Sequence, residues 1–139
     1  MGEVIAVGPM RIEFILSKDE TGGCLDMFRV IVPPSATMPV AHWHRDWEET
    51  LYGLEGAITV VLEGAARAIG PGDSVFVSRG AVHNFYNASD AVAIFLSVLT
   101  PGVLGPAYFR EIGAAIGQGR PDPGVMREIM LRHGLVPAP

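Results

Sequence analysis

Charge is scarce in this chain: Asp, Glu, Lys and Arg make up 18% of its 139 residues, against about 25% in an average soluble domain. The ten basic residues never cluster, so the cationic stripe that grips a phosphate backbone is missing and nucleic acid is excluded as a partner. Cysteine is represented by Cys24 alone, which excludes an internal disulfide and a thiolate metal site. Beside Gly22 and Gly23 it reads as a buried or loop thiol rather than a nucleophile. Long apolar runs are also absent. Ala91–Leu96, and Ala57–Leu62 with Thr59 inside it, fall far short of the ~18 residues of a membrane span. The opening MGEVIAVGPM has neither a basic n-region nor an apolar h-region. A cytoplasmic protein without a membrane partner is expected.

What the chain does have is apolar residues, 49% of the total, at a length suited to one domain. A domain of this size buries roughly 68–70% of its unfolded surface and needs no staple to fold. We expect a single domain over residues 1–139. Its 17 glycines and 11 prolines mostly punctuate the first hundred residues. Between them lie β-type runs at Arg11–Leu16, Leu25–Val32, Thr50–Leu54, Ala57–Leu62, Ala66–Ile69, Ser74–Val77 and Ala91–Leu99. Short strands with such regular turn signals predict an all-β sandwich or barrel over about residues 10–100. After Thr100-Pro101-Gly102 the period changes. Tyr108, Phe109, Ile112, Ala115 and Ile116 fall at helical spacing, ending at Gly117 or Gly119. A second helix is framed by Asp122 as N-cap, Pro123 at its first position and Gly134 as its stop. This extension, about residues 103–135, is too short for its own core, so the two helices are expected to pack outside the barrel.

Three of the four histidines occupy two short stretches, VAHWHRDWEETLYGLEG and PGDSVFVSRGAVHNFYN. His42 and His44 are two apart, so on a strand both imidazoles project from one face. Glu49 follows near the start of the next extended run, and His83 begins or lies within another. Together they can converge inside a small barrel. Such a nitrogen and oxygen donor set suits Fe, Mn, Ni, Cu or Zn and suits Ca or Mg poorly. A lone His-x-His pair can equally be two half-buried hydrogen-bonding residues, and Glu49 a solvated turn carboxylate like its neighbour Glu48.

The two stretches resemble the paired motifs of the cupin superfamily. His42, His44, Glu49 and Gly56 fall on G-x5-H-x-H-x4-E-x6-G. Gly72, Gly80, His83 and Asn87 fall on G-x5-P-x-G-x2-H-x3-N. Residues 57–71 form the short link between them, as in compact single-domain cupins. Ala36 stands in place of the first glycine and Ser78 in place of the proline, departures at turns rather than at ligands. The tail, with Tyr108-Phe109-Arg110-Glu111, Pro121-Asp122-Pro123 and Arg132-His133-Gly134-Leu135, is similar to that of cupins grouped with quercetin 2,3-dioxygenase.

The resemblance implies a double-stranded β-helix, or jelly-roll, barrel holding a divalent transition metal ion on His42, His44, Glu49 and His83. It also implies a small-molecule substrate. The leading reading is a metal-dependent oxygenase for a small aromatic or enol-type molecule, with Glu49 leaving the ion to accept a hydroxyl proton. An isomerase or lyase using the ion as Lewis acid, and a non-enzymatic small-molecule-binding module, are the alternatives, because the family hosts many functions. Phe85 shares the face of His83 and is a candidate pocket wall; Trp47 either rims the pocket or simply packs. Trp43 and Tyr52 point away, and His133 reads as a charge near a helix C-terminus. Low charge density, a small barrel interior and helices that cover only part of its outside predict a homodimer, with Val4–Leu16 as the main contributor by pairing with a partner strand. The alternative is that this segment folds back on its own barrel.

Overall fold

The computed structural model describes residues 2–38, 40–117 and 121–139. Among the described residues, eleven strands form two antiparallel sheets. The first carries β1 (Val4–Val7), β2 (Met10–Leu16), β3 (Asp26–Val32), β10 (Ala93–Thr100), β5 (Glu48–Glu55) and β8 (Ser74–Val77), in that spatial order. The second carries β11 (Leu135–Pro137), β4 (His42–His44), β9 (His83–Tyr86), β6 (Ile58–Leu62) and β7 (Ala65–Ile69). Two helices, α1 (Gly105–Gly117) and α2 (Pro123–His133), lie between β10 and β11 in the chain.

Alternation explains the sandwich. In β10 the residues Ala93, Phe95, Ser97 and Leu99 are buried while their neighbours are half-buried or exposed, the period of two that sends successive side chains to opposite faces. β2 repeats this with Met10, Ile12 and Phe14 inward and Arg11 outward. The inward rows of both sheets meet in one hydrophobic cluster that includes Leu51, Val60, Val77 and Phe95. Each such fully buried aliphatic side chain contributes about 1.5–3 kcal/mol of transfer free energy. The motif glycine Gly56 sits at φ +66°, and a Cβ there would lie 2.4 Å from the Val92 carbonyl oxygen, so β5 can turn against β10 only with glycine. Ala36 does not have a positive φ, so its turn forms without the family's glycine.

The helices lie outside the two sheets, as expected. The second is capped as its sequence reads: the Asp122 carboxylate accepts from the amides of Gly124 and Val125, and Gly134 is left-handed. The first ends at Gly117, and Gly119 lies outside the described residues. Unforeseen was how far their apolar faces reach inward. Tyr108, Ile112, Met126, Ile129 and Met130 join the same cluster as the barrel. The buried Asp26 carboxylate fixes the start of α1, accepting from the amides of Lys18 at 2.7 Å and Gly105 at 3.0 Å. The segment Val4–Leu16 folds back on its own barrel, with β1 paired to β2 and β2 to β3. No helix among the described residues is long and apolar enough to cross a membrane.

Candidate metal centre

β4 has three residues, His-Trp-His, and its burial alternates buried, half-buried, buried. That places both imidazoles on the inner face and Trp43 on the other, against Val136 of β11. β9 opens on His83, which is in register with His42. The turn before it is tied to β4 by the Gly80 amide donating to the His44 carbonyl at 3.0 Å. The ligand nitrogens of His42, His44 and His83 all lie within 4.8 Å of one another, and all three residues are buried. Glu49 comes from the opposite sheet. Its Oε1 is 3.4 Å from His83 Nε2 and 3.9 Å from His44 Nε2, and its Oε2 accepts from the Ser97 hydroxyl at 2.5 Å. Glu48, one residue earlier, is instead paired with Arg79. The structure thus brings together the four residues singled out in the sequence.

The hydrogen bonds around the cluster decide where its lone pairs point. His42 Nδ1 is 3.0 Å from the Val40 carbonyl and His83 Nδ1 is 3.0 Å from the Ala81 carbonyl. A carbonyl only accepts, so both Nδ1 atoms carry the proton and both Nε2 lone pairs face the centre. His42 Nε2 is 3.2 Å from His44 Nε2, a separation at which two facing lone pairs need a proton or a cation between them. His83 Nε2 is buried too, and its nearest polar neighbour is the Glu49 carboxylate at 3.4 Å. Buried, inward-facing and unshared nitrogens beside a carboxylate are what a divalent transition ion requires. The three histidines fit a metal ion.

Electrostatics keep most of the cluster deprotonated. Burial, reinforced by the His83 charge, lowers the His42 imidazole to about 4. Burial lowers His44 to about 3, against the opposing charge of Glu49. For Glu49, burial acts upward, but the hydrogen bond with His83, the charges of His44 and His83, and the Ser97 hydroxyl outweigh it and hold the carboxyl at about 2. For His83, burial acts downward, but the hydrogen bond and charge of Glu49, with the Ala81 carbonyl, carry it above the ordinary 6.5. Any proton in the cluster at mild pH therefore resides on His83.

Beside the cluster lies a cavity of about 90 Å³, with His42, His44 and Glu49 at one end. Its other walls are apolar residues such as Phe85, Phe95, Leu99 and, from the helices, Phe109, Ile112 and Met130. Tyr108 is the one other polar side chain in its lining, and no Lys or Arg contributes among the described residues. Phe85 is the wall expected of it, and Tyr52 points outward as expected. Trp47 packs rather than rims the pocket: it is fully buried in the core cluster, where its indole stacks on the His44 ring. His133 is remote from the cluster, beside Glu111 and Tyr108. Ser97 was missed by sequence reasoning, although a serine on the inward row of an apolar strand is the signal that could have found it.

Comparison with known proteins bears on the fold and the family. The model of the Cupin domain matches residues 28–99. Over 80 residues the chain is 34% identical to a quercetin 2,3-dioxygenase of Bacillus subtilis, a stretch covering 58% of this chain and 23% of that enzyme. A predicted oxalate decarboxylase from Thermotoga maritima superposes with TM-score 0.65 at 25% identity, covering 71% of this chain and 90% of that one. A cupin-superfamily sugar phosphate isomerase from Silicibacter pomeroyi superposes with TM-score 0.58 at 28% identity, covering 66% and 59%.

Proposed function

Because this chain belongs to the Cupin domain family, whose fold alone leaves the reaction open, we propose from its site that it is a metal-dependent oxygenase acting on a small aromatic or enol-type molecule. The observation that carries this reading is the convergence of three imidazole nitrogens and one carboxylate, of which His42, His44 and Glu49 line an otherwise apolar cavity. His42, His44, His83 and Glu49 hold the ion in this reading, and the whole of residues 1–139 acts as one unit. The ion, when bound, supplies Lewis-acid and redox chemistry.

The residues do the rest. The apolar walls accept a flat hydrocarbon body and keep bulk water from the reacting end. Glu49 is ionised at neutral pH and serves in this reading as the acceptor of a hydroxyl proton from an enol or phenol placed against it. Because its proton affinity is low, that hydroxyl would have to be acidified, which the ion would do when bound. Ser97 keeps one carboxylate oxygen occupied and so aims the other at the cluster. The similarity to a quercetin 2,3-dioxygenase supports the oxygenase over a Lewis-acid isomerase or lyase. So does the absence of Lys and Arg from the described lining, since a phosphorylated sugar would need a cationic partner there. We place the protein in the cytoplasm as a homodimer. Its shared surface in this reading is the outer face of the larger sheet, where Tyr52, Leu54 and Phe76 are exposed.

Oxygen-electrode assays of tag-free, metal-loaded protein against a panel of aromatic diols, flavonols and enols test the reading. Uptake dependent on both metal and organic substrate is expected. Turnover of a carbonyl substrate without oxygen uptake would move the protein to the isomerase or lyase class. Ligand binding without any turnover would leave a binding module.

A further inference from the structure

We propose that Trp47 is a positioning residue for the metal centre, holding the His44 imidazole by ring stacking where hydrogen bonds hold its two partners. The inference rests on the metal reading above and concerns how the third imidazole is aimed. His42 and His83 each donate Nδ1–H to a carbonyl two residues earlier, the tie that usually sets the tautomer and ring plane of a ligating histidine. His44 has no such tie. Its Nδ1 is buried without a hydrogen-bond partner among the described residues, so its polar contacts are confined to the Nε2 side that faces the centre and no backbone tie fixes the ring plane from behind.

The indole of Trp47 takes that place. The two ring centroids are 4.7 Å apart and the planes are inclined by only 23°, a stacked arrangement, whereas both histidine–His83 pairs are edge-on. Trp47 is itself immobilised. It is fully buried, and a Cβ built on Gly134 would lie 3.1 Å from its Cζ3. Gly134 belongs to the turn that leads into β11, where its carbonyl accepts from the Arg45 amide at 3.0 Å and Leu135 stands opposite His44. The C-terminal turn, the indole and the ligating imidazole are thus packed in series. The indole Nε1 is also buried without a partner. Trp47 is therefore placed by its ring faces, so phenylalanine should substitute for it and an aliphatic side chain should not.

Cobalt(II) is the probe, because its d–d absorption reports ligand geometry independently of turnover. Wild type, Trp47→Phe, Trp47→Leu and Trp47→Met are titrated by calorimetry and absorption. Ile69→Ala, a buried residue of β7 outside the cavity lining, is the control for general loosening of the core. Trp47→Phe is expected to bind within about threefold of wild type with unshifted bands. Trp47→Leu, or Trp47→Met if the leucine variant does not fold, is expected to bind about 10–100-fold more weakly with shifted bands. Ile69→Ala is expected to melt earlier yet keep wild-type affinity and bands. Wild-type binding in a folded aliphatic variant overturns the proposal. So does more than tenfold weakening in folded Trp47→Phe, or equal weakening in Ile69→Ala. A wild-type protein that binds no cobalt removes the metal reading itself, which distinguishes that failure from this one.

Discussion

Metal affinity should follow pH with the signature of one competing proton rather than three. The perturbation is a change of pH from 6.5 to 5. If all three imidazoles titrated near 6.5, binding an ion at pH 5 would displace about three protons. The affinity would then fall about a thousandfold per pH unit. The structure argues otherwise. His42 and His44 are neutral down to about 4 and 3, and Glu49 is ionised down to about 2. His83 alone, raised by the Glu49 carboxylate, carries a proton in this window. One proton gives a tenfold change per unit, or about 1.4 kcal/mol. Across 1.5 units that is up to about 30-fold, against about 4,000-fold for three imidazoles that are each half-protonated at the start. The sign is that affinity rises with pH until His83 loses its proton above 6.5 and is flat beyond. Calorimetric titrations at several pH values, repeated in buffers of different ionisation enthalpy, count the protons released per ion. A slope near three would refute the claim that burial keeps two of the imidazoles neutral.

Other expectations follow from the same geometry. His44→Ala should lose metal and retain the β-type circular dichroism of the wild type, because the cluster of apolar residues is large and mostly remote from the site. A metal-free variant that is unfolded would make the site structural. In the metal-free wild type, His44 resists protonation when folded but titrates near 6.5 when unfolded. Stability should therefore fall as pH drops from 6.5 toward 4, and thermal melts of His44→Ala should show a shallower decline in that window. Ser97→Ala frees the Glu49 oxygen that the hydroxyl holds and should weaken metal binding about tenfold with little change in melting temperature; an unchanged affinity would deny Ser97 its aiming role. Light scattering at micromolar concentration should give about twice 14.8 kDa, reduced to the single mass by the paired substitution Tyr52→Glu and Phe76→Glu. A monomeric wild type would reject the dimer.

The barrel was legible because turn residues and alternation repeat along the chain. β3, β6, β7, β8 and β10 begin within two residues of their sequence-predicted starts, and the caps of α2 were readable from Asp122, Pro123 and Gly134. The cluster was legible for a related reason: a spacing of two on a strand is enough to put His42 and His44 on one face. What escaped lies between elements distant in sequence. Nothing near Leu135 announces that the last three-residue strand flanks β4, since that pairing spans about ninety residues of chain. A local hydrophobic pattern cannot tell a helix lying on a barrel from one lining its cavity, so the contribution of Phe109 and Met130 to the pocket went unseen. The same applies to Trp47. Its apolar character predicted burial, but a stack on His44 is a three-dimensional fact that periodicity does not encode.

Everything proposed for this protein requires that the three-histidine cluster hold an ion. Element-resolved analysis of protein purified without a His-tag, beside His83→Ala prepared identically, tests this most directly. The expectation is about one Fe, Mn, Ni, Cu or Zn per wild-type chain, and nearly none in the variant. Wild-type protein that neither carries such an ion nor takes one up on dialysis would contradict it, as would a His83→Ala variant that retains the same content.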